Sequence, residues 1–575
     1  MRKLMEFIKK HWFLIAVILL IMIKQWLICR LPIYARDEVG VDEWKMLKKT
    51  EDLLSGNYWE DYTAETMFKR DIFFPVFLAL CHLCNISYWS GCSLVYTVSC
   101  LISMYSFSHF CKNKAVLLGA FILMLFSPVS YGGHLQLVYN LSLVSPFAIG
   151  MISCMMLAFH DRTVLTKCCA WNILAGIFGC MLWLNREDTQ WLLLLISGYI
   201  LIFFICTRKF KEKKKILGCV MLPAVFIFLG NNVYCCLNNI HYGLWVTNDH
   251  IATGFADAYN SLLKIVPDSY PESCSITRDM ISKAAKESPA FGELYDWLDV
   301  FYEQNEGMML AGRAPDDGEI EDGWMPFVLR SAASEKGYYE SAESADAYWK
   351  KVSQELEMAF SEGRLEKRNI FLFGSVLKHP WVRNQNYFQR WMSSWIELMT
   401  GNIRHNFISM NLEYSTISTD IIKQYEAITY NNVVELPVKG QNNDPGEADA
   451  LCKLRKLARI NHIYQKLSVF EIAVIIFTYI SLWMLFVRGI IKKIPNVKVL
   501  ELLIFMTTII GCVFVYTLAL GYIDAFMFGS AWYSIPVTGL IDFLAALSVV
   551  SLSALICDWR KEKINDGRIM FHHME

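Results

Sequence analysis

The sequence predicts an all-α polytopic membrane protein, and three observations lead there. The 575 residues are 54% hydrophobic and 14% aromatic, with a mean hydropathy of +0.31, a composition outside the range of ordinary soluble domains. Apolar runs of about 20 residues, the length that crosses a bilayer, recur along the chain. Short clusters of Lys and Arg stand between those runs, as cytoplasmic loops require.

The first run is His11 to Cys29, preceded by Arg2, Lys3, Lys9 and Lys10, which hold the N-terminus in the cytoplasm. No cleavage-site pattern follows it, so it reads as a retained anchor rather than a signal peptide. Ten spans are predicted: 11–29, 89–109, 115–132, 141–159, 168–184, 191–207, 216–236, 467–487, 499–520 and 534–556. With ten crossings the basic loops CKNK (111–114), HDRTVLTK (160–167), RKFKEKKK (208–215), RGIIKK (488–493) and DWRKEK (558–563) all fall inside, and both termini are cytoplasmic. The apolar stretch 72–84 is too short for a span. Counting it as one would move CKNK and HDRTVLTK outside, so it is expected to lie on the outer leaflet as an interfacial or re-entrant helix.

This topology divides the chain into an N-terminal transmembrane module (1–236, with an external loop 30–88), an extracytoplasmic domain (237–466) and a C-terminal transmembrane module (467–575). Between Leu237 and Gln465 acids outnumber bases by 32 to 22. That segment therefore carries about −10, and the rest of the chain about +9. It has helical runs such as 344–365, with Tyr348, Val352, Leu356 and Phe360 at helical spacing. Breakers include Pro267, Pro271, GRAPDDGEIEDG (312–323) and QNNDPGE (441–447). No strand alternation persists there, so the domain is expected to be mostly helical. It has no basic face or aromatic-basic motif, which argues against nucleic-acid binding. Of 18 cysteines only Cys274 and Cys452 lie well inside it. That is no disulfide framework, and most cysteines read as small buried apolar residues.

Chemistry-bearing residues gather in the predicted external loops. Asp42 and Glu43 follow the first span in RLPIYARDEVGVDEW; such a pair either stabilises the first turn of a helix or supplies a general base or metal ligand at the membrane surface. Lys69 and Arg70 precede the apolar stretch opened by FFP. Cations on the outer side go against the positive-inside rule, which points to a phosphate partner. Asn185-Arg186-Glu187-Asp188 sits in the six-residue turn 185–190 between two predicted spans; a pairing of Arg186 with Asp188 would keep the hairpin polar, and a shared site with Asp42 would use its charges. Asp542 lies inside the last span, where an ionisable residue is a functional candidate, here in a supporting position behind the reacting groups. Cys81-His-Leu-Cys84 has no second pair and sits in an apolar helix, so it reads as packing. Walker A, GxGxxG, HExxH and GxSxG signatures are absent from the sequence. Acids, a cationic pair and a lipid surface together suggest an enzyme that handles a lipid phosphate outside the membrane.

This layout resembles the GT-C superfamily, polytopic glycosyltransferases that use lipid-phosphate-linked sugars and include oligosaccharyltransferases, protein O-mannosyltransferases and lipid A aminoarabinose transferases. Those enzymes carry a catalytic acid in the first external loop, matched here by Asp42-Glu43, and a cation near the following surface helices, matched by Lys69 or Arg70. LPIYA, GVDEW, the lysine before FFPVFLAL, NREDTQW and HYGL (241–244) resemble a group of bacterial membrane proteins with LPIYA…DD, Lys-Gly-Pro and Arg-Glu-Glu motifs; ESPAFGEL (287–294), DGWMPFVLR (322–330) and GYYESAESADAYW (337–349) extend that likeness. This chain lacks Gly-Pro after Lys69.

The resemblance implies transfer of a sugar from a polyprenyl-phosphate donor to a glycan, lipid or protein acceptor outside the plasma membrane. Asp42 would be the base, with Glu43 and Glu187 orienting the sugar or a divalent cation. Lys69, Arg70 and Arg186 would stabilise the phosphate, backed by Asp188 and Asp542. The alternative is a transporter or flippase of lipid-linked glycans, which should show inverted repeats and midplane charges; a third is a scaffold displaying the 237–466 domain.

Overall fold

The computed structural model describes residues 2–36, 42–59, 61–64, 68–69, 71–207, 212–249, 251–269, 271, 274–304, 318–320, 322–368, 385–411, 413–415, 417–434, 445–493, 496–526, 529 and 531–572. Among them nine helices are long and apolar enough to cross a membrane. A tenth span results if Lys114–Leu125 and Pro128–Leu135, bent by 53° at their junction, are counted as one. Pro128 accounts for the bend, because a proline disfavours helical backbone in the residue before it; Ser127 is extended at ψ 133°. All ten windows expected from the sequence fall on these helices. The chain is an all-α polytopic membrane protein, and among the described residues strand pairing is limited to three isolated bridges.

The bundle is organised around Asn140–His160, whose apolar window is buried throughout. It contains no charged residue before His160, and it packs through small polar groups: Ser153 and Ser103 share a 2.7 Å hydrogen bond, and Ser99 Oγ donates to Pro146 O at 2.7 Å. Small residues permit close approach in a solvent that gives helices no hydrophobic reason to associate. The first helix is peripheral, exposing Leu14, Ile18, Leu19, Met22 and Ile23, as a lipid-facing surface requires.

The short apolar helix Phe73–Leu83 does not span. Its first N–H, on Phe73, donates to Leu184 O at 3.2 Å, which fastens it to the turn between two spans. The segment after the first helix is also stitched down by parallel bridges, Ile33 with Val433 and Tyr34 with Leu137.

The long segment between Tyr242 and Pro445 divides in two by packing. Helices between Gly254 and Ser361 share one core, with Leu262, Phe291, Leu329, Trp349, Val352 and Leu356 fully buried. The longest of them, Ala342–Ser361, begins with a capping box in which Ser341 and Ser344 each satisfy the other's backbone N–H. Tyr348, Val352 and Leu356 are buried on its inner face, with Phe360 partly so, as their spacing predicts. Helix Gln385–Ile403 instead packs on the span Val497–Phe526: Trp391 Nε1 donates to Leu518 O at 2.9 Å and Trp395 Nε1 to Thr517 Oγ1 at 3.1 Å. A Cβ on Gly521 would stand 2.8 Å from Trp395 Cα, so only glycine admits that approach. Helix Thr419–Thr429 lies against Phe73–Leu83 and Asp42–Ser55.

The expected domain limits at 236/237 and 466/467 fall inside helices Leu222–Tyr242 and Pro445–Ile491. The former ends at Gly243, whose φ of 72° favours glycine. The latter, 47 residues or about 70 Å at 1.5 Å per residue, is far longer than a bilayer needs, and its charged first half projects beyond the apolar part.

Candidate active site

Asp42 opens helix Asp42–Ser55, so its carboxylate sits in the first turn where the helix dipole favours negative charge. Lys69 Nζ lies 3.1 Å from Asp42 Oδ1, and Tyr139 donates its hydroxyl to Asp42 Oδ2 at 3.3 Å. The Lys69 ammonium beside it holds the Asp42 carboxyl below the usual range, more than offsetting burial. Burial works against the charge on Lys69, but Asp42, Asp71 and Glu187 together raise its pKa. The ion pair is reachable: the Asp42 side chain is 42% exposed and that of Lys69 27%.

Glu43 points elsewhere. It is 4% exposed and pairs with Arg36 at 3.3 Å; the Arg36 guanidinium lies 5.5 Å over the Trp532 ring. Arg70 lies outside the described residues. Asp71, beside it, pairs with Lys49 at 3.1 Å, which anchors the segment carrying Lys69. Tyr234 OH donates to Lys69 O at 3.2 Å.

The turn after the span Leu165–Trp183 brings in the remaining charges. Arg186 grips Asp188 with two hydrogen bonds, Nε to Oδ1 at 2.9 Å and Nη2 to Oδ2 at 2.8 Å, and donates from Nη1 to Asn140 Oδ1 at 2.8 Å. Its guanidinium carbon lies 5.6 Å from the Tyr139 ring and 5.1 Å from the Tyr533 ring. Tyr516 OH donates to Asp188 Oδ2 at 2.9 Å. Against burial, Arg186 holds the Asp188 carboxyl below its ordinary range. Glu187 accepts from Asn248 Nδ2 at 2.5 Å. Asn185 and Asn140 exchange side-chain-to-carbonyl hydrogen bonds of 2.7 and 3.0 Å, locking the turn to the central helix.

The helical unit between Gly254 and Ser361 braces this arrangement through Arg330. Phe68, next to Lys69, exchanges hydrogen bonds with Asp249, N to Oδ2 at 3.3 Å and O from Asp249 N at 3.1 Å. Asp249 is in turn paired with the buried Arg330, whose Nε also donates to Ala64 O at 3.1 Å.

Asp42, Lys69, Arg186, Glu187 and Asp188 therefore belong to one connected group at one end of the bundle. Asp542 makes its hydrogen bonds with Ser127 and His405 in a different cluster. Tyr139, Asn140, Asn248, Tyr516 and Tyr533 are members that sequence reading missed. Tyr139 and Asn140 sit in the uncharged run LQLVYNLSLV, which carries no motif; the signal available was an Asn at the entrance of an apolar span.

The three acids the sequence suggested do not gather into one three-ligand site. Among the described residues Asp42, Glu43 and Glu187 do not come within shared-ligand distance of one another; they face Lys69, Arg36 and Asn248 respectively.

Fold and site together define a multi-pass membrane protein with a charged cluster at one mouth of its helical bundle. No protein-family model matches the chain, and no curated protein matches it in sequence. Its backbone is similar to that of apo ArnT from Cupriavidus metallidurans, with 9% identity, coverage of 90% of this chain and 78% of that one, and a TM-score of 0.29. It is also similar to the archaeal oligosaccharyltransferase AglB from Archaeoglobus fulgidus in complex with an inhibitory peptide and a dolichol-phosphate. There the identity is 13%, the coverage 90% and 56%, and the TM-score 0.28. A further Archaeoglobus fulgidus oligosaccharyltransferase, in the apo form, gives 13% identity, 78% and 69% coverage, and a TM-score of 0.24. The likeness is spread thinly over the chain and assigns no residue of the site.

Proposed function

We propose that this chain is a GT-C-type glycosyltransferase of the plasma membrane, with both termini cytoplasmic and the Asp42 cluster on the outer face. It would move a sugar from a polyprenyl-phosphate donor to a glycan, lipid or protein acceptor. One observation carries the reading: a reachable Asp42–Lys69 ion pair placed beside Arg186 and Glu187 at one end of the bundle. A carboxylate held ionised is a base ready to accept a proton, and a neighbouring cation can stabilise a departing phosphate.

In the proposed reaction Asp42 takes the proton of the acceptor hydroxyl or amide. The freed acceptor atom bonds to the anomeric carbon from the face opposite the phosphate, inverting it. The bond from that carbon to the phosphate oxygen breaks, and its electron pair leaves with the polyprenyl phosphate. Lys69 shifts its contact from Asp42 toward that phosphate as Asp42 becomes neutral. Arg186, with three of its five N–H groups engaged by Asp188 and Asn140, lies against the Tyr139 ring and so supports the hydroxyl that contacts Asp42. Glu187 and Asn248 form a hydrogen-bonding edge for sugar hydroxyls. No step passes through a metal here.

Mass spectrometry of envelope glycans from cells with and without the gene, complemented by wild type or Asp42→Asn, tests the proposal. Loss of one sugar unit, restored by wild type and not by Asp42→Asn, is expected. Unchanged glycans sink it; a lipid-linked glycan that accumulates on the inner leaflet, with Asp42→Asn fully active, assigns a transporter instead.

A further inference from the structure

A second polar cluster lies inside the bundle. Asp542 belongs to the span Ala531–Cys557 and Glu471 to Ala448–Ile491. Ser127 marks the break before Pro128, and His405 follows helix Gln385–Ile403. Asp542 Oδ1 is 3.0 Å from His405 Nε2, and its Oδ2 accepts from Ser127 Oγ. One ligand atom from each of His405, Glu471 and Asp542 lies within 4.8 Å of the other two. The three residues are 0%, 4% and 1% exposed.

Glu471 is the residue that needs an explanation. Both of its carboxylate oxygens are buried, and neither meets a hydrogen-bond partner among the described residues. On its other side is a cavity of 190 Å³ walled by apolar residues such as Leu123, Phe470 and Val549, which offers no donor. Two carboxylates this close in a low-dielectric interior repel, and each demands a partner. His405 supplies at most one positive charge, and it already faces Asp542.

His405 is also held in place deliberately. Its φ of 56° is left-handed, which reverses the chain after the helix, and its N–H donates to Asn402 O at 3.2 Å. Asn402 bonds Ser534 Oγ at 2.7 Å and Thr538 Oγ1 at 2.9 Å, so the turn is fastened to the helix that carries Asp542.

We propose that His405, Glu471 and Asp542 form a binding site for a divalent metal ion of the zinc or manganese class. A dication with two carboxylates and a neutral imidazole sums to zero charge, which a buried membrane site favours. One nitrogen and two oxygen donors suit borderline cations better than calcium. The Ser127 hydroxyl on the second oxygen of Asp542 is the outer hydrogen bond that orients a ligating carboxylate. The cluster's hydrogen bonds involve none of Asp42, Lys69, Arg186 or Glu187, and the inference stands whether or not the transferase reading does.

The test uses full-length protein in detergent, stripped with chelator, dialysed against Zn²⁺ or Mn²⁺ alone and counted for metal. Wild type and an Asp42→Asn/Glu43→Gln variant should each hold one ion that Glu471→Gln and Asp542→Asn lose, with affinity falling by more than about tenfold. His109, His160 and Asp161 form another metal-compatible group, partly exposed, so the count is repeated in His109→Ala/His160→Ala, which should keep the ion. X-ray absorption at the zinc edge of wild type should show one imidazole nitrogen with oxygens; this holds even if a variant fails to fold. Equal metal content in wild type, Glu471→Gln and Asp542→Asn overturns the proposal. So does loss of the ion only in the His109/His160 variant, or a shell without imidazole. A metal-free wild type with a protonated-carboxyl infrared band that Glu471→Gln removes would reassign the cluster as a proton store.

Discussion

Asp42 and Tyr139 are joined by a 3.3 Å hydrogen bond across 97 residues of sequence. Because the same Tyr139 ring lies against Arg186, one aromatic side chain links helix Asp42–Ser55 to the turn between two later spans. The position of the Asp42 carboxylate is thus tied to the packing of the whole bundle mouth, and the first expectation concerns Asp42 itself. Asp42→Asn keeps the shape and removes the basicity. Turnover should fall by roughly 10²–10⁴-fold while binding of a polyprenyl-phosphate sugar persists, as read by single-turnover assays beside donor titration. Full transfer activity in this variant would remove Asp42 from the chemistry.

In the proposed reaction Lys69 would set the pH range over which Asp42 takes a proton. Lys69 lowers the Asp42 pKa and burial raises it, so Lys69→Met leaves burial opposed only by the smaller effects of Lys45 and Tyr139, and the pKa rises. The acidic limb of the activity profile should therefore move to higher pH. The Asp42 contribution to stability, present above its unfolded value and lost as pH falls through the folded one, should shrink in the same variant. Losing a charge-assisted contact to phosphate costs about 1.5–3 kcal/mol, so donor affinity should weaken roughly tenfold to a hundredfold. An unmoved acidic limb with unchanged donor affinity would contradict both roles.

Glu43 is turned into the protein toward Arg36. Glu43→Gln removes an ion pair whose arginine side chain is 42% exposed, which costs on the order of 1 kcal/mol or less. Transfer should stay within about tenfold of wild type, the range a positioning change leaves. If Glu43→Gln is inactive and Asp42→Asn active, the two residues exchange roles.

Arg330 reaches the site through Asp249 and Phe68. Arg330→Met leaves the Asp249 carboxylate buried without its ion pair, an error worth about 3–5 kcal/mol, and loosens the segment ahead of Lys69. Thermal unfolding should drop, and donor affinity should weaken further than maximal turnover. The second effect separates support of Lys69 from a general loss of fold. Equal loss of both kinetic constants, in proportion to folded protein, would leave only the structural role.

Topology can be read directly. Cysteines engineered on the surface of Ala342–Ser361 should react with a membrane-impermeant reagent on intact cells, and cysteines in 208–215 only after permeabilisation. The reverse pattern would put the Asp42 cluster on the cytoplasmic face and with it the proposed reaction on the wrong side.

Local chemistry in the sequence determined a good deal. Ten apolar windows, a short apolar helix that does not cross, and the helical pattern of Tyr348, Val352 and Leu356 are properties of contiguous residues. Hydropathy and period express them without knowledge of distant partners. The acids and cations that meet at the bundle mouth were legible for the related reason that charge beside an apolar span is costly and conspicuous. Tertiary structure alone decided which of Asp42 and Glu43 is reachable, since adjacent helical residues differ only in what packs against them. It alone recruited the uncharged Tyr139, Asn140 and Asn248. It also separated helix Gln385–Ile403 from the core of the helices between Gly254 and Ser361 and gathered His405, Glu471 and Asp542 from three distant segments. Those relationships arise from helix packing, which brings together side chains far apart in sequence and leaves no periodic trace along the chain.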